Sequence, residues 1–197
     1  MQFFINWAYI IIKKGVIKAN INEDKLRCLI IKLALLQHKK LYEHGKHGQN
    51  TFDCAGLVWY VYNEICHLNL YDKGFGLSTT TKIMTSKYGK LTLFAENNIN
   101  KNLRIIKNGD IVFFHRQSLK DNMPTENNKY PGHCGIYLGE QKFIHASSSK
   151  QKIIISDFSK NEDWLRVLVG SKNVFYNFEH KDLTSEKKAI FKRYYKK

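Results

Sequence analysis

The second half of the chain carries the feature that most constrains its fold. From residue 111 onward, short apolar runs alternate with turn signals. Ile111-Val112-Phe113-Phe114 follows Asn108-Gly109-Asp110; Gly135 to Leu138 and Lys142 to Ala146 flank Gly139-Glu140-Gln141; Ile153-Ile154-Ile155 and Leu165 to Val169 come next. Runs of this length, rich in β-branched and aromatic residues and punctuated by Gly, Asn and Asp, read as strands. Their regular spacing predicts an antiparallel sheet. The first half has a helical texture instead. Leu26, Leu29, Ile30, Leu33 and Leu36 form a stripe behind Asn22-Glu23-Asp24, and Cys54, Leu57, Val58, Val61 and Ile65 form a second, with Thr51 or Asp53 available as its N-cap. Helices followed by strands predict an α+β domain, with an antiparallel sheet packed against the helices.

The chain has 197 residues, 43% of them hydrophobic, which suits one domain with a true core. We expect that domain over residues 25–172, preceded by an N-terminal extension, 1–24, and followed by a basic tail or amphipathic helix, 173–197. A net charge of +15 favours a polyanionic partner or surface. No nucleic-acid motif accompanies the charge, so a nucleic-acid-binding module has only the charge to support it. No stretch approaches the roughly 20 apolar residues of a membrane span. The apolar segment Phe3 to Ile12 lacks the flanks of an export signal and reads as an element packed on the domain. Residues 41–51 read as a loop, 66–109 as irregular chain with a short helix, and 115–132 as a polar stretch too long for an ordinary hairpin.

Cys28, Cys54, Cys66 and Cys134 contain no C-x-x-C pair, so neither a zinc ribbon nor a disulfide framework is suggested. Cys54 opens the second helix, where the helix dipole and unpaired N–H groups favour a thiolate; the same position also suits a buried structural cysteine. His133 and His145 fall on one face of a hairpin. A turn centred at Gly139 sets them directly opposite each other, and one centred at Glu140 sets them diagonally. One imidazole would then take the Cys54 proton while the other orients it. Cys134 should point away from His133 into the core, and Cys28 and Cys66 should be buried in their helices. His44 and His47 read as loop or cleft-rim residues rather than a metal pair, and His115 as structural.

Four motifs occur in order: Phe52-Asp53-Cys54-Ala55-Gly56-Leu57-Val58, Asn108-Gly109-Asp110-Ile111-Val112-Phe113-Phe114, Gly132-His133-Cys134-Gly135-Ile136-Tyr137-Leu138-Gly139 and Phe143-Ile144-His145-Ala146. Together they resemble the NlpC/P60 cysteine peptidases over residues 25–170. The resemblance implies a papain-like fold that cleaves amide bonds of peptidoglycan stem peptides, commonly between γ-D-glutamate and a diamino acid. It further implies Cys54 as nucleophile, His133 as general base and then acid, His145 as the orienting residue, and no metal or organic cofactor. Asp53 and Tyr42 match positions lining the substrate side of the cleft, where Asp53 serves equally well as a helix cap. Ser78 and Thr79 to Thr81 fall, in a loose alignment, where many members have a Ser/Thr segment near the cleft. The sequence departs from the family at Ala55, usually serine, and at Cys134, usually a small β-branched residue. An N-acetylmuramoyl-L-alanine amidase or an acyltransferase would use the same scaffold. The setting stays open among a phage component, a recycling enzyme and a delivered toxin, the last of which implies an immunity protein as partner.

Overall fold

The computed structural model describes residues 23–70, 79–94, 99–115 and 131–176. The extension before residue 23, most of the 115–132 stretch and the tail beyond residue 176 lie outside them. The first helix, α1 (Glu23–Leu36), buries Leu26, Ile30 and Ala34, with Leu29 and Leu33 partly covered, while Leu36 is exposed. Arg27 is buried on the same face, which apolar periodicity does not reveal, and Cys28 is exposed rather than buried. The loop expected at 41–51 instead holds three two-residue strands, β1 (Leu41–Tyr42), β2 (His47–Gly48) and β3 (Thr51–Phe52). These lead into α2 (Cys54–Cys66), which buries Leu57, Val58, Val61, Tyr62 and Cys66.

The region read as irregular contains more order than expected: α3 (Thr79–Thr85), β4 (Lys90–Leu93) and α4 (Ile99–Ile105). β4 escaped notice because it is a half-exposed edge strand without an apolar run. The strands β5 (Ile111–Phe114), β6 (His133–Gly139), β7 (Lys142–Ser147) and β8 (Lys152–Asp157) follow at the expected places. The last one expected, Leu165 to Val169, is divided between a helical turn, α5 (Asp163–Arg166), and β9 (Leu168–Asn173). The Asn161 side chain accepts the Asp163 N–H and starts that turn.

All nine strands form one sheet in the order β2-β3-β1-β8-β7-β6-β5-β9-β4. Its ladders are antiparallel apart from the β1–β3 pair. Strand alternation gives it two packed faces. Ile111, Phe113, Cys134, Ile136, Ile144 and Ala146 meet α1 and α2 in the main core, whereas Val112, Phe114, Tyr137, Phe143 and Phe158 form a second cluster with Trp164. Val174 and Phe175 are also buried, so the folded unit continues past residue 172.

Two buried cations tie the layers together. Arg27 reaches Asp110 Oδ1, the Asn108 carbonyl and Asn173 Oδ1, each at 2.7 Å, and so joins α1 to the turn before β5 and to the end of β9. Lys172 donates to the carbonyls of Ile83, Met84 and Ser86 at 3.2, 2.8 and 2.7 Å, satisfying backbone at the C-terminal end of α3. Burial pushes its pKa down to about 8.

Candidate active site

Asp53 is the N-cap of α2. Its Oδ1 accepts the Gly56 N–H at 2.6 Å, and its Oδ2 accepts the Gly45 N–H at 2.9 Å, which fastens the preceding loop to the helix start. Burial pushes the carboxyl pKa up, and the two N–H donors act against that. Gly56 sits where a Cβ would lie 2.0 Å from the Lys46 carbonyl oxygen, so only glycine lets the loop pass this close. Cys54 is therefore held in the first turn of α2, partly covered, between the loop and the sheet.

His133 is the first residue of β6, and His145 lies on β7. Ile136 pairs with Ile144 and Tyr137 with Phe143, so the register centres at Glu140 and the residue opposite His145 is Gly135, not His133. Of the two turn geometries, the diagonal one is realised. Glu140 and Gln141 take φ of 50° and 61°, the positive-φ pair of a two-residue hairpin turn. Gly135 makes the diagonal workable. A Cβ there would lie 2.8 Å from the Ile144 carbonyl oxygen and 3.2 Å from His145 Cβ. Without it, the ring of His133 reaches across to His145, with Nε2 to Nδ1 at 2.8 Å and the rings edge-on.

The relay continues inward. His145 Nε2 lies 2.9 Å from Ser156 Oγ on β8. His145 is 1% exposed, and burial followed by the neighbouring His133 holds its pKa well below the usual imidazole range, so it is neutral. A neutral His145 that accepts at Nδ1 carries its proton on Nε2 and donates it to Ser156. In that tautomer His133 carries a proton on Nε2 and leaves its Nδ1 available to accept. Trp164 covers the pair, its ring centroid 5.0 Å from that of His145 and 5.8 Å from that of His133, and Phe114 and Phe143 pack against it. These aromatics help bury His145, while His133 stays partly exposed.

The Cys54 thiol is held well below its ordinary pKa. Hydrogen bonding from Cys134 contributes most, His133 adds a hydrogen bond and its charge, and burial opposes them. Cys134 points away from His133 and is fully buried, as the alternation of β6 requires, but the face it occupies is the one α2 packs on. Thr80 Oγ1 on α3 completes the surroundings, 3.9 Å from Cys54 Sγ.

Cys54, His133 and His145 are thus brought together, and Asp53 stands beside them as cap. Tyr42 on β1 pairs with Phe52 and packs half-buried on the main core. His47 is exposed and sets its ring edge-on to Trp59, and His44 lies on the exposed loop near Asp53. No cluster of His, Cys, Asp or Glu among the described residues has the geometry to hold a metal ion. Sequence reasoning missed Cys134, Ser156 and Trp164 as neighbours of the site, whereas Thr80 belongs to the loosely aligned Ser/Thr segment expected near the cleft. None sits in a helical or hairpin register with Cys54, and only packing between elements brings them near.

The profile of the NlpC/P60 family matches residues 39–172, and the chain belongs to that family. It is 28% identical over 139 residues to the murein DD-endopeptidase MepH of Escherichia coli (strain K12), covering 68% of this chain and 41% of that protein. It is also 28% identical over 131 residues to the probable peptidoglycan endopeptidase LytE of Bacillus subtilis (strain 168), covering 66% of this chain and 29% of that protein. The chain therefore spans less than half the length of either relative. Its fold matches that of NlpC1 from Trichomonas vaginalis with a TM-score of 0.53 at 23% identity, covering 74% of this chain and 42% of that one. The architecture is the papain-like α+β fold of the family.

Proposed function

We propose that the chain is a peptidoglycan-directed cysteine hydrolase that cleaves the amide bond between γ-D-glutamate and the diamino acid of stem peptides. One observation carries this reading: Cys54 stands in the first turn of α2 with its thiol held well below the ordinary range, in part by His133, whose ring lies 2.8 Å from a second, neutral imidazole. His133 takes the Cys54 proton. The thiolate attacks the scissile carbonyl, and first-turn backbone N–H groups of α2 face the developing oxyanion. His133 returns the proton to the leaving amine, leaving a thioester on Cys54, and then deprotonates the water that hydrolyses it. Throughout, His145 holds the imidazolium by accepting from its Nε2–H and stays neutral itself. The Asp53 carboxylate, fixed by Gly45 and Gly56, supplies negative charge at the cleft edge for the ammonium of a stem peptide's N-terminal L-alanine, with Tyr42 on the adjacent strand.

Three defined substrates test the proposal by mass spectrometry: L-Ala-γ-D-Glu-diaminopimelate, the same peptide acetylated on its amine, and a D,D-cross-linked muropeptide dimer, which the name of MepH makes the necessary comparison. Release of L-Ala-γ-D-Glu, lost in Cys54→Ala, is the expected result, with acetylation slowing cleavage. Cleavage of the dimer at its D,D cross-link alone would overturn the bond assignment. Full activity in Cys54→Ala would overturn the mechanism.

A further inference from the structure

Three side chains on one face of the sheet form a run of hydrogen bonds across β6, β7 and β8, and the proposed reaction uses only the first two. His133 Nε2 and His145 Nδ1 are 2.8 Å apart, and His145 Nε2 is 2.9 Å from Ser156 Oγ. On β8 the residue directly opposite His145 is Ile154, while Ser156 stands opposite Phe143. Ser156 is therefore diagonal to His145 on one side, as His133 is on the other. Diagonal neighbours on a sheet lie about 7–8 Å apart, a gap that an imidazole ring can bridge. His145 bridges both gaps, with one ring nitrogen directed to each. It is 1% exposed, so each nitrogen depends on the protein for its partner, whereas Ser156 is only partly buried.

We propose that Ser156 is a positioning residue: its hydroxyl accepts the His145 Nε2–H and so keeps His145 Nδ1 free to accept from His133. This rests on the reading of His133 as the base for Cys54. A neutral imidazole has one N–H and one acceptor nitrogen, so the partner at Nε2 fixes what Nδ1 can do. Once His133 has taken the Cys54 proton, both of its nitrogens carry N–H, and the nitrogen that faces it must accept. His145 then needs its own proton on Nε2, with an acceptor in place to receive it. Burial and the neighbouring His133 hold the His145 pKa well below the usual range, so the ring does not escape this choice by taking a second proton. A hydroxyl suits the position because it accepts without adding charge. A carboxylate there would draw a second proton onto His145 and turn Nδ1 into a donor, opposed to the imidazolium. The next residue, Asp157, is a carboxylate, but strand alternation turns it to the other face, and its Oδ1 accepts from the Ser159 N–H and hydroxyl. Without the Ser156 hydroxyl, the Nε2–H would be a buried donor left unpaired, and the ring would favour the tautomer with its proton on Nδ1. That tautomer sets an N–H against the N–H of His133.

The test reads the tautomer as well as turnover. In protein whose histidines carry the heavy nitrogen isotope, two-bond proton–nitrogen NMR spectra distinguish a protonated Nε2 from a protonated Nδ1, and the His145→Ala variant assigns the His145 signals. Wild type is compared with Ser156→Ala, which removes the acceptor, and Ser156→Thr, which keeps it on a residue type that strands favour. Circular dichroism establishes that each is folded. Wild type should carry the His145 proton on Nε2. Ser156→Ala should move it to Nδ1 and lower kcat about tenfold, as a buried donor left without a partner implies, with KM changed by no more than about twofold. Ser156→Thr should keep the proton on Nε2 and hold kcat within about threefold of wild type; if it fails to fold, the Ala variant decides alone. A proton retained on Nε2 in Ser156→Ala would overturn the inference, as would a wild-type proton on Nδ1 or a change of tautomer that leaves kcat untouched. The spectra need no substrate, so the tautomer is read whether or not the peptide is cleaved. Absence of turnover by wild type would overturn the proposed function instead, which is a different failure.

Discussion

Replacing His145 by alanine isolates the contribution of the orienting imidazole. In the structure its Nδ1 lies 2.8 Å from Nε2 of His133, beside Trp164 and Phe143, and in the proposed reaction it accepts the Nε2–H of the imidazolium. A hydrogen bond to a charged group contributes about 1.5–3 kcal/mol. Losing it once His133 has become an imidazolium should lower kcat/KM by roughly 10- to 150-fold. His133→Ala, which removes the base itself, should cost more. The assay is kcat/KM for L-Ala-γ-D-Glu-diaminopimelate, measured for wild type and both variants side by side. A His145→Ala loss equal to or greater than that of His133→Ala would mean the two roles are exchanged, and an unchanged kcat/KM in His145→Ala would mean that His145 does not stabilise the charged partner.

Stability should respond to Asp110 far more than to Glu23, although both pair with Arg27. Asp110→Ala strands a buried guanidinium and should cost about 3–5 kcal/mol in urea unfolding, while Glu23→Ala, at a half-exposed pair, should stay within about 1 kcal/mol. Near-equal losses would show that the burial of the pair does not govern its energetics. Lys172→Met should cost about 2–4 kcal/mol by leaving buried carbonyls without a donor, and it should also raise KM or lower kcat because α3 carries Thr80 to Cys54. Loss of stability with untouched kinetics would uncouple α3 from the site. Gly56→Ala forces a Cβ to within 2.0 Å of the Lys46 carbonyl oxygen, so it should displace the loop that Asp53 fastens and cut activity at least tenfold in a protein that still folds. Wild-type activity in that variant would mean that the loop yields without cost to the nucleophile.

The local order of this protein was legible in its sequence. The stripe from Cys54 to Ile65 defined α2, the Asp53 carboxylate capped it where a side-chain acceptor was expected, and β5 to β8 appeared at the apolar runs between turn signals. These features depend on interactions within a few residues, and periodicity and capping record such interactions directly. The same periodicity placed His133 and His145 on one face, but it left their register open between two turn centres. Only the strand pairing chose the diagonal, with Gly135 in the gap as the steric reason.

The partners from afar were not legible. Cys134 read as core, and it is core; what the sequence could not say is that the core face of β6 is the face against which Cys54 packs. Arg27 interrupted an apolar stripe without revealing that Asp110 and Asn173 would meet it, since those contacts span 83 and 146 residues. Thr80, Ser156 and Trp164 likewise reach the site only because separate elements converge on it. The sequence by itself determined the elements, the place of Cys54 at a helix start and the shared face of the two histidines, because each follows from backbone geometry over a short stretch. Tertiary structure decided the hairpin register, the contact of His145 with Ser156 and the approach of Thr80 to Cys54, because long-range packing is selected by the fit of whole surfaces and leaves no local period to read.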